Sequence, residues 1–318
     1  MTRTQFDIIG KRRLFFVISL VIIGAGLVSL LFQGLNLGVD FAGGTSMQFH
    51  VNRQFETAEV REALTKAGFG GAEIRKVGAA KDADRRDVEI RLGSNEKGET
   101  GLTTEERKQI TQEIEAKFGK DNIQLMSDVT VPPRFGREAT SKAIIALNLA
   151  SLGIIAYCAV RFEIRPAVAT VVAVLHDVLV VVGMFSIFRV EVDLTFVAAL
   201  LTIVGYSVND TIVIFDRVRE DMRNAGRNVD FAKIVNQSLW QSMTRTLYTS
   251  LTVFFTVLAI FVWGGVTTRN FALAMLIGLI SGTYSTVFIA SAIWVEWRER
   301  STAKQQKQPA AVASGGRR

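Results

Sequence analysis

The sequence is poor in the residues that build metal sites and disulfides. Its 318 residues include one cysteine, Cys158, and two histidines, His50 and His176. A single thiol cannot form an intramolecular disulfide, and these three side chains do not have the spacing of zinc ligands. We therefore expect neither a bound metal nor a disulfide framework.

The chain also lacks the motifs of common enzymes and nucleic-acid-binding proteins. It has no Gly-rich phosphate loop and no nucleophile paired with a base, so we expect no catalytic chemistry, no ATP hydrolysis and no cofactor. The 37 basic residues exceed the 30 acidic ones and give a net charge of +7. They are spread over several loops without an aromatic stripe, which argues against a nucleic-acid partner.

Long apolar runs are what the sequence has in excess. Hydrophobic residues make up 49% of the chain and the mean hydropathy is +0.27, but the charges avoid six stretches and crowd between them. Each stretch has about the 20 residues that a helix needs to cross a bilayer. The predicted spans are 14–32, 139–160, 166–188, 194–215, 246–268 and 271–295. The first is too long for a signal peptide and lacks a cleavage site, so we interpret it as a retained anchor.

Basic residues near the span ends predict the orientation. With the N-terminus inside, the segments 1–13, 161–165, 216–245 and 296–318 hold 18 Lys and Arg, and the short outside loops hold only Arg189 and Arg269. Cytoplasmic segments carry such an excess, so both termini are predicted to be cytoplasmic. The segment 216–245 is then a cytoplasmic loop, and the tail 296–318 is polar and largely disordered.

The long loop 33–138 is predicted to be a folded periplasmic domain. Period-two segments predict strands at 45–51, 72–77, 86–92 and 122–131, and amphipathic segments predict helices at 56–67 and 103–118. Thr104 is a plausible N-cap of the second helix. The order β-α-β-β-α-β is that of a ferredoxin-like α+β domain.

The fourth span carries an acid, which in hydrocarbon marks a functional site by default. Asp210 extends a polar stripe at helical spacing that includes Thr202, Tyr206 and Asn209. It lies about 9 Å inside the predicted cytoplasmic boundary, where a proton from that side can reach it.

The fifth span has a matching stripe of Arg245, Thr249, Thr252 and Thr256. Arg245 either extends to lipid headgroups or pairs with Asp210. The hydroxyls behind it favour the pair, which protonation of Asp210 would break.

His176 and Asp177 lie near the middle of the third span. Because adjacent helix residues point about 100° apart, the two cannot face the same neighbour. A proton relay and interhelical hydrogen bonds both remain open. The sixth span has a small-residue face, most typical of close helix packing, formed by Ala274, Gly278, Ser281, Gly282 and Ser285.

Four stretches taken together resemble one protein family. They are LGVDFAGGT at 37–45, Arg165-Pro166-Ala167 followed by His176-Asp177, VGYSVNDTIVIFDRVRE at 204–220, and the segment 276–285. The combination resembles the SecF family, the smaller partners of SecD in bacterial protein export, over roughly residues 5–297.

The resemblance implies an α-helical inner-membrane protein whose six transmembrane helices are similar to half of a resistance-nodulation-division transporter. SecD would supply the other half, and the implied partners are the SecYEG channel with SecA, YajC, YidC, membrane lipid and the preprotein. The implied function is use of the proton motive force to draw preproteins into the periplasm.

The resemblance also implies roles for particular residues. Asp210 and Arg245 would couple protons, with Asp177 and His176 as further candidates. Asp40, Gly43 and Gly44 would form a hinge or coupling motif beside the periplasmic domain.

Two other readings stay open at this point. A small-molecule or lipid exporter built from separate halves would need a larger periplasmic region than one loop of about 106 residues. A passive scaffold would make Asp210 and Arg245 merely structural. The helical segment 231–243 either lies on the membrane surface or binds a partner.

Overall fold

The computed structural model describes residues 6–77, 87–93, 102–161, 163–226 and 229–306. Six helices within these ranges are long and apolar enough to cross a membrane, as predicted. They are α1 (Arg12–Gln33), α5 (Pro133–Arg161), α6 (Ile164–Ile187), α7 (Leu194–Asn224), α8 (Phe231–Trp263) and a sixth that runs through α9 (Val266–Tyr284), a π-helical turn (Ser285–Ala290) and α10 (Ser291–Gln306).

The segment between α1 and α5 folds as the predicted α+β domain, here called the inserted domain. Its strands are β2 (Gly44–Val51), β3 (Glu73–Val77), β4 (Asp87–Leu92) and β5 (Ile123–Val131), and its helices are α3 (Thr57–Lys66) and α4 (Thr104–Phe118). The antiparallel sheet has the order β3-β4-β2-β5. This is the ferredoxin-like arrangement, in which each helix crosses over a central strand.

The two helices cover one face of this sheet and bury its apolar side chains. Phe49 and Ile90 of the sheet pack with Leu64 of α3 and with Ile110 and Ile114 of α4, all fully buried. Such a core stabilises the domain by about 25 cal/mol for each Å² of apolar surface removed from water.

The N-cap of α4 is Thr103, so the predicted cap at Thr104 is wrong by one residue. The Thr103 hydroxyl accepts the backbone N–H of Glu106, and the Glu106 carboxylate accepts the backbone N–H of Thr103 at 2.7 Å. A capping box needs Glu or Gln three residues after the cap, and Glu106 holds that position relative to Thr103.

The membrane bundle has three inner and three outer helices. Half or more of the most apolar stretch of α6, α7 and α9–α10 is buried, against 17% or less in α1, α5 and α8. A Cβ added to Gly26 of α1 would lie 2.8 Å from the Cα of Gly183 in α6, and the reverse holds equally. Glycine at both positions is therefore what lets these helices touch through their backbones.

Short elements link the inserted domain to the bundle. After α1 come β1 (Asn36–Leu37) and a single helical turn, α2 (Val39–Ala42), which leads into β2. β1 pairs in parallel with β6 (Glu191–Val192), which lies between α6 and α7.

The helices extend beyond the apolar runs at the predicted cytoplasmic side. Residues 216–224 and 231–245, predicted as part of a loop, belong to α7 and α8, and residues 301–306 of the predicted disordered tail continue α10. Hydropathy marks only the lipid-embedded part of a helix, which explains the difference. The remainder of the predicted tail, 307–318, lies outside the described residues, as does Arg86 of one predicted strand.

The first turns of α8 pack within the chain. Val235 and Leu239 are fully buried. The Oδ1 atom of Asn236 accepts the backbone N–H of Ile8 at 2.9 Å, and the Trp240 indole donates to the Phe6 carbonyl at 3.0 Å. Its apolar face is thus covered by the chain's own N-terminal segment and bundle.

Candidate functional site

Asp177 of α6 is the centre of a hydrogen-bond network inside the bundle. Its side chain is 1% exposed. Its carboxylate accepts hydrogen bonds from Ser207 of α7 at 2.6 Å, Ser281 of α9 at 2.6 Å and Ser285 at 2.7 Å. Because the donors come from two other helices, this one carboxylate joins the three inner helices of the bundle.

His176 extends the network to α1. Its Nε2 lies 2.9 Å from the hydroxyl of Ser19, and its Nδ1 lies 3.1 Å from Oδ1 of Asp177. The imidazole also stacks on Tyr284 at 6.0 Å between ring centres. The adjacent His176 and Asp177 thus serve different neighbours, as their 100° separation requires.

The π-helical turn of the sixth helix lies at this network. Ser285, its first residue, donates to Asp177, and the hydroxyl of the next residue, Thr286, lies 3.0 Å from that of Thr211 in α7. The wider turn places these two hydroxyls toward α6 and α7. Single π turns inside α-helices are frequent at functional sites.

Asp210 of α7 is also buried, at 4% exposed, but its surroundings differ. Its Oδ2 atom has no hydrogen-bond partner among the residues that the structure describes. Two groups of α8 interact with its carboxyl: the hydroxyl of Ser250 and the positive charge of Arg245. Ser250 in turn accepts a hydrogen bond from Thr283 at 2.9 Å. Asp210 therefore lies where α7, α8 and α9 meet.

The stripe on α8 faces outward from this chain. Arg245, Thr249, Thr252 and Thr256 are all exposed. The three threonine hydroxyls donate to carbonyls of their own helix at 2.8–3.0 Å. Within the described residues Arg245 has no carboxylate oxygen within 4 Å, so its ion pair with Asp210 remains a prediction.

The residues of the α7 stripe differ in their exposure. Thr202 and Asn209 are exposed, whereas Tyr206 is half-buried. Its hydroxyl is buried and lacks a hydrogen-bond partner within the part of the chain that is described. We call the exposed residues of the two stripes the polar face: Thr202, Asn209, Arg245, Thr249, Thr252 and Thr256.

The Asp40-Gly43-Gly44 motif lies at the root of the inserted domain. Oδ2 of Asp40 accepts the backbone N–H of Leu194 at 3.0 Å, which is the first residue of α7. Gly43 and Gly44 have φ values of 74° and 126°, and a Cβ on Gly44 would lie 2.4 Å from the carbonyl oxygen of Leu92. Only glycine fits such a position without strain.

Sequence reasoning missed the serines of the site. Ser19 and Ser250 carried no signal, because single serines are common in membrane helices, and Ser207 entered only as part of the stretch 204–220. Ser281 and Ser285 drew attention only as packing residues, although their four-residue spacing also predicts two hydroxyls on one helix face. No cluster of three or more potential metal ligands occurs among the described residues.

Comparison with known proteins gives two family matches. Residues 110–300 match the family described as protein export membrane protein SecD/SecF, C-terminal, and residues 28–54 match the SecD/SecF GG motif. Protein translocase subunit SecF of Thermobaculum terrenum is 40% identical over 98% of this chain and 100% of its own length. SecF of Alicyclobacillus acidocaldarius is 40% identical over 95% of this chain and 96% of its own.

Solved structures agree with these matches. A crystal structure of SecDF, a translocon-associated membrane protein from Thermus thermophilus, is 34% identical, with a TM-score of 0.81 over 93% of this chain. SecDF in its super-membrane-facing form is 33% identical, with a TM-score of 0.69 over 96% of this chain. This chain spans only 39% and 40% of those two longer chains.

Proposed function

We propose that this chain, which belongs to the SecD/SecF family, is the accessory subunit of a Sec translocase that uses the proton motive force to promote preprotein translocation. It is a multi-pass membrane protein, and we place it in the bacterial inner membrane with both termini cytoplasmic. Its contribution is mechanical and electrostatic, without catalytic chemistry of its own.

A partner chain is required by the polar face. Threonine and asparagine side chains and an arginine exposed along α7 and α8 are unfavourable against lipid tails, so another protein surface must cover them. About 60% of each SecDF chain lies outside the part that this chain matches, enough for a second half. We therefore assign the polar face to SecD.

The observation that carries proton coupling is the incomplete environment of Asp210. Its carboxyl is buried in the bundle, keeps one oxygen without a partner among the described residues, and interacts with the Ser250 hydroxyl and the Arg245 charge of α8. Such a group has room to gain or lose a proton without breaking a set of hydrogen bonds. Loss of its charge would remove the attraction between Asp210 and Arg245 and change the packing of α7 against α8.

Movement of α7 can be transmitted to the inserted domain through Asp40, Gly43 and Gly44, which lie where the domain joins the bundle. Asp40 accepts the first N–H of α7, and Gly43 and Gly44 follow within four residues. Their glycine-only backbone conformations suit a hinge. This contact supports a coupling role for Asp40 between the proton site and the domain.

The wider assembly follows from family membership. We infer that the complex with SecD works beside SecYEG after SecA has driven preprotein insertion, with YajC and YidC as further associates. We expect the bundle to face membrane lipid with α1 and α5, whose most apolar stretches are the least buried.

The test is preprotein release in proteoliposomes that contain SecD, SecYEG and this chain, with and without a proton gradient. We expect Asp210→Asn and Arg245→Ala to assemble normally with SecD but to lose the stimulation by the gradient. Asp216→Asn, a carboxylate change on the same helix away from the site, is the matched control. Full stimulation in Asp210→Asn would make Asp210 structural and favour a scaffold.

A further inference from the structure

The sheet of the inserted domain carries buried charge on the face turned away from its helices. Glu89 and Arg91 of β4 are 6% and 7% exposed. Ser46 and the Nε of Arg91 both donate to Glu89 at 2.9 Å. Charges leave water at a high cost, so burial at this point indicates a specific contact.

That contact is with the membrane bundle. Glu191, on β6 between α6 and α7, forms an ion pair with the guanidinium of Arg91. A Cβ on Gly38 would lie 2.5 Å from Oε1 of Glu191, so the glycine leaves the space that this carboxylate occupies. We call Ser46, Glu89, Arg91 and Glu191 the docking cluster.

A second arginine of the same sheet face reaches the same place. Arg75 of β3 donates to Oδ1 of Asn36 at 3.2 Å, and Asn36 donates to the carbonyl of Arg189 at 3.0 Å. Gly38 also donates its backbone N–H to the Val192 carbonyl at 2.8 Å. The paired strands β1 and β6 therefore lie between the sheet of the inserted domain and the helices of the bundle.

Glu89 of the docking cluster is ionised at neutral pH. Burial raises the pKa of Glu89, but the hydrogen bond and positive charge of Arg91, with smaller contributions from Ser46 and Arg75, hold that pKa below its usual value. Arg91 thus lies between two carboxylates, one in its own sheet and one in the bundle.

We propose that the Arg91–Glu191 ion pair docks the inserted domain on the membrane bundle, and that its release lets the domain turn about Gly43 and Gly44. An ion pair suits a reversible contact, because water solvates both charges once they separate. A large apolar contact would expose an aggregation-prone surface when the domain separated from the bundle. The inference rests on the contacts of the sheet face and does not depend on proton coupling.

The experiment measures the distance between the domain and the bundle in the full chain. In a Cys158→Ala background, spin labels are attached at Ala116→Cys on α4 and Phe32→Cys near the end of α1, both exposed positions. Double electron–electron resonance in nanodiscs then reports docked and undocked populations.

We expect one main distance in the parent and a second population in Glu191→Gln, with the ratio of undocked to docked molecules raised roughly tenfold. Gly38→Ala should act in the same direction, because its methyl group displaces the Glu191 carboxylate. Arg91→Gln combined with Glu191→Gln should give less opening than the sum of the two single changes, since both remove the Arg91–Glu191 contact and only Arg91→Gln also removes the contact with Glu89.

The matched control is Asp128→Asn, which breaks the Arg107–Asp128 ion pair inside the domain and should leave the distance unchanged. Glu191 lies outside the domain, so its replacement leaves the Glu89–Arg91 pair inside the sheet in place. An unchanged distance in Glu191→Gln would overturn the proposal. So would full additivity of the Arg91 and Glu191 changes, because each side chain would then act through other contacts.

Discussion

Two buried carboxylates lie on neighbouring helices of the bundle, and their surroundings are opposite. Asp177 accepts three serine hydroxyls and contacts His176, so its hydrogen-bonding capacity is filled from three helices. Asp210 keeps an oxygen without a partner among the described residues and lies next to the polar face. The first arrangement fixes helices together, and the second leaves a group free to change its charge.

This difference assigns separate tasks to two acids that look alike in the sequence. Interhelical hydrogen bonds within a membrane average about 0.6 kcal/mol each, so a carboxylate with several donors is a substantial structural element. A buried acid with few donors adds little to stability and is available for function.

The largest effect on stability is expected from Asp177→Ala. The change leaves the hydroxyls of Ser207, Ser281 and Ser285 without their shared acceptor, and we expect a loss of about 2 kcal/mol. Thermal unfolding in nanodiscs and co-purification with SecD would measure it. Asp210→Ala is the comparison variant, and an equal loss of stability in both would remove the distinction between the two acids.

Asp210→Asn is expected to have a much smaller effect on unfolding, within about 0.5 kcal/mol of the parent, because no set of hydrogen bonds depends on the charge. Its effect should appear in gradient-driven release instead. If Asp210→Asn unfolded more readily and lost release only in proportion to the unfolded fraction, Asp210 would be structural.

Replacing the serines around Asp177 one at a time should in each case cause part of the stability loss expected for Asp177→Ala. Ser207→Ala and Ser281→Ala are each expected to lower stability by about 0.6 kcal/mol. Ser285→Ala should cost no more, because the Ser285 hydroxyl shares its contact with the Gly282 carbonyl at 3.2 Å. Ser250→Ala beside Asp210 is the matched control, and it should alter gradient coupling more than melting temperature.

The smallest effect is expected on the polar face. Thr249→Val and Thr252→Val should leave the melting temperature of the isolated chain unchanged, because these hydroxyls donate only within their own helix. In the complex with SecD the same changes should weaken association, as measured by co-purification at increasing detergent. Destabilisation of the isolated chain would show that the stripe packs inside it.

Sequence patterns were sufficient to predict the strands and helices of the inserted domain and to identify the buried acids of the bundle. Period-two and helical spacing located all four strands and both helices of the inserted domain to within about two residues, because each element has one buried face. The cost of a charge in hydrocarbon identified Asp177 and Asp210 without a structure.

The partners of these acids could not be predicted in the same way. Which serine faces Asp177 depends on helix rotation and crossing, which a single sequence does not specify. The π turn at Ser285 changes the register of the sixth helix, so extrapolating an ideal α-helix misplaces the residues after it. The docking cluster joins β4 to β6, a hundred residues apart in the chain, and no local pattern signals it.

The contact between Gly26 and Gly183 has a consequence for how the bundle can work. Two backbones that touch without side chains between them pack as closely as helices can, and any side chain added at either glycine would push α1 and α6 apart. We expect α1 and α6 to move as one unit, with α7 and α9 joined to it through the hydrogen bonds of Asp177. Motion is left to the ends of α7 and to α8, so the bundle is built to pivot about its centre and not to shift as a whole.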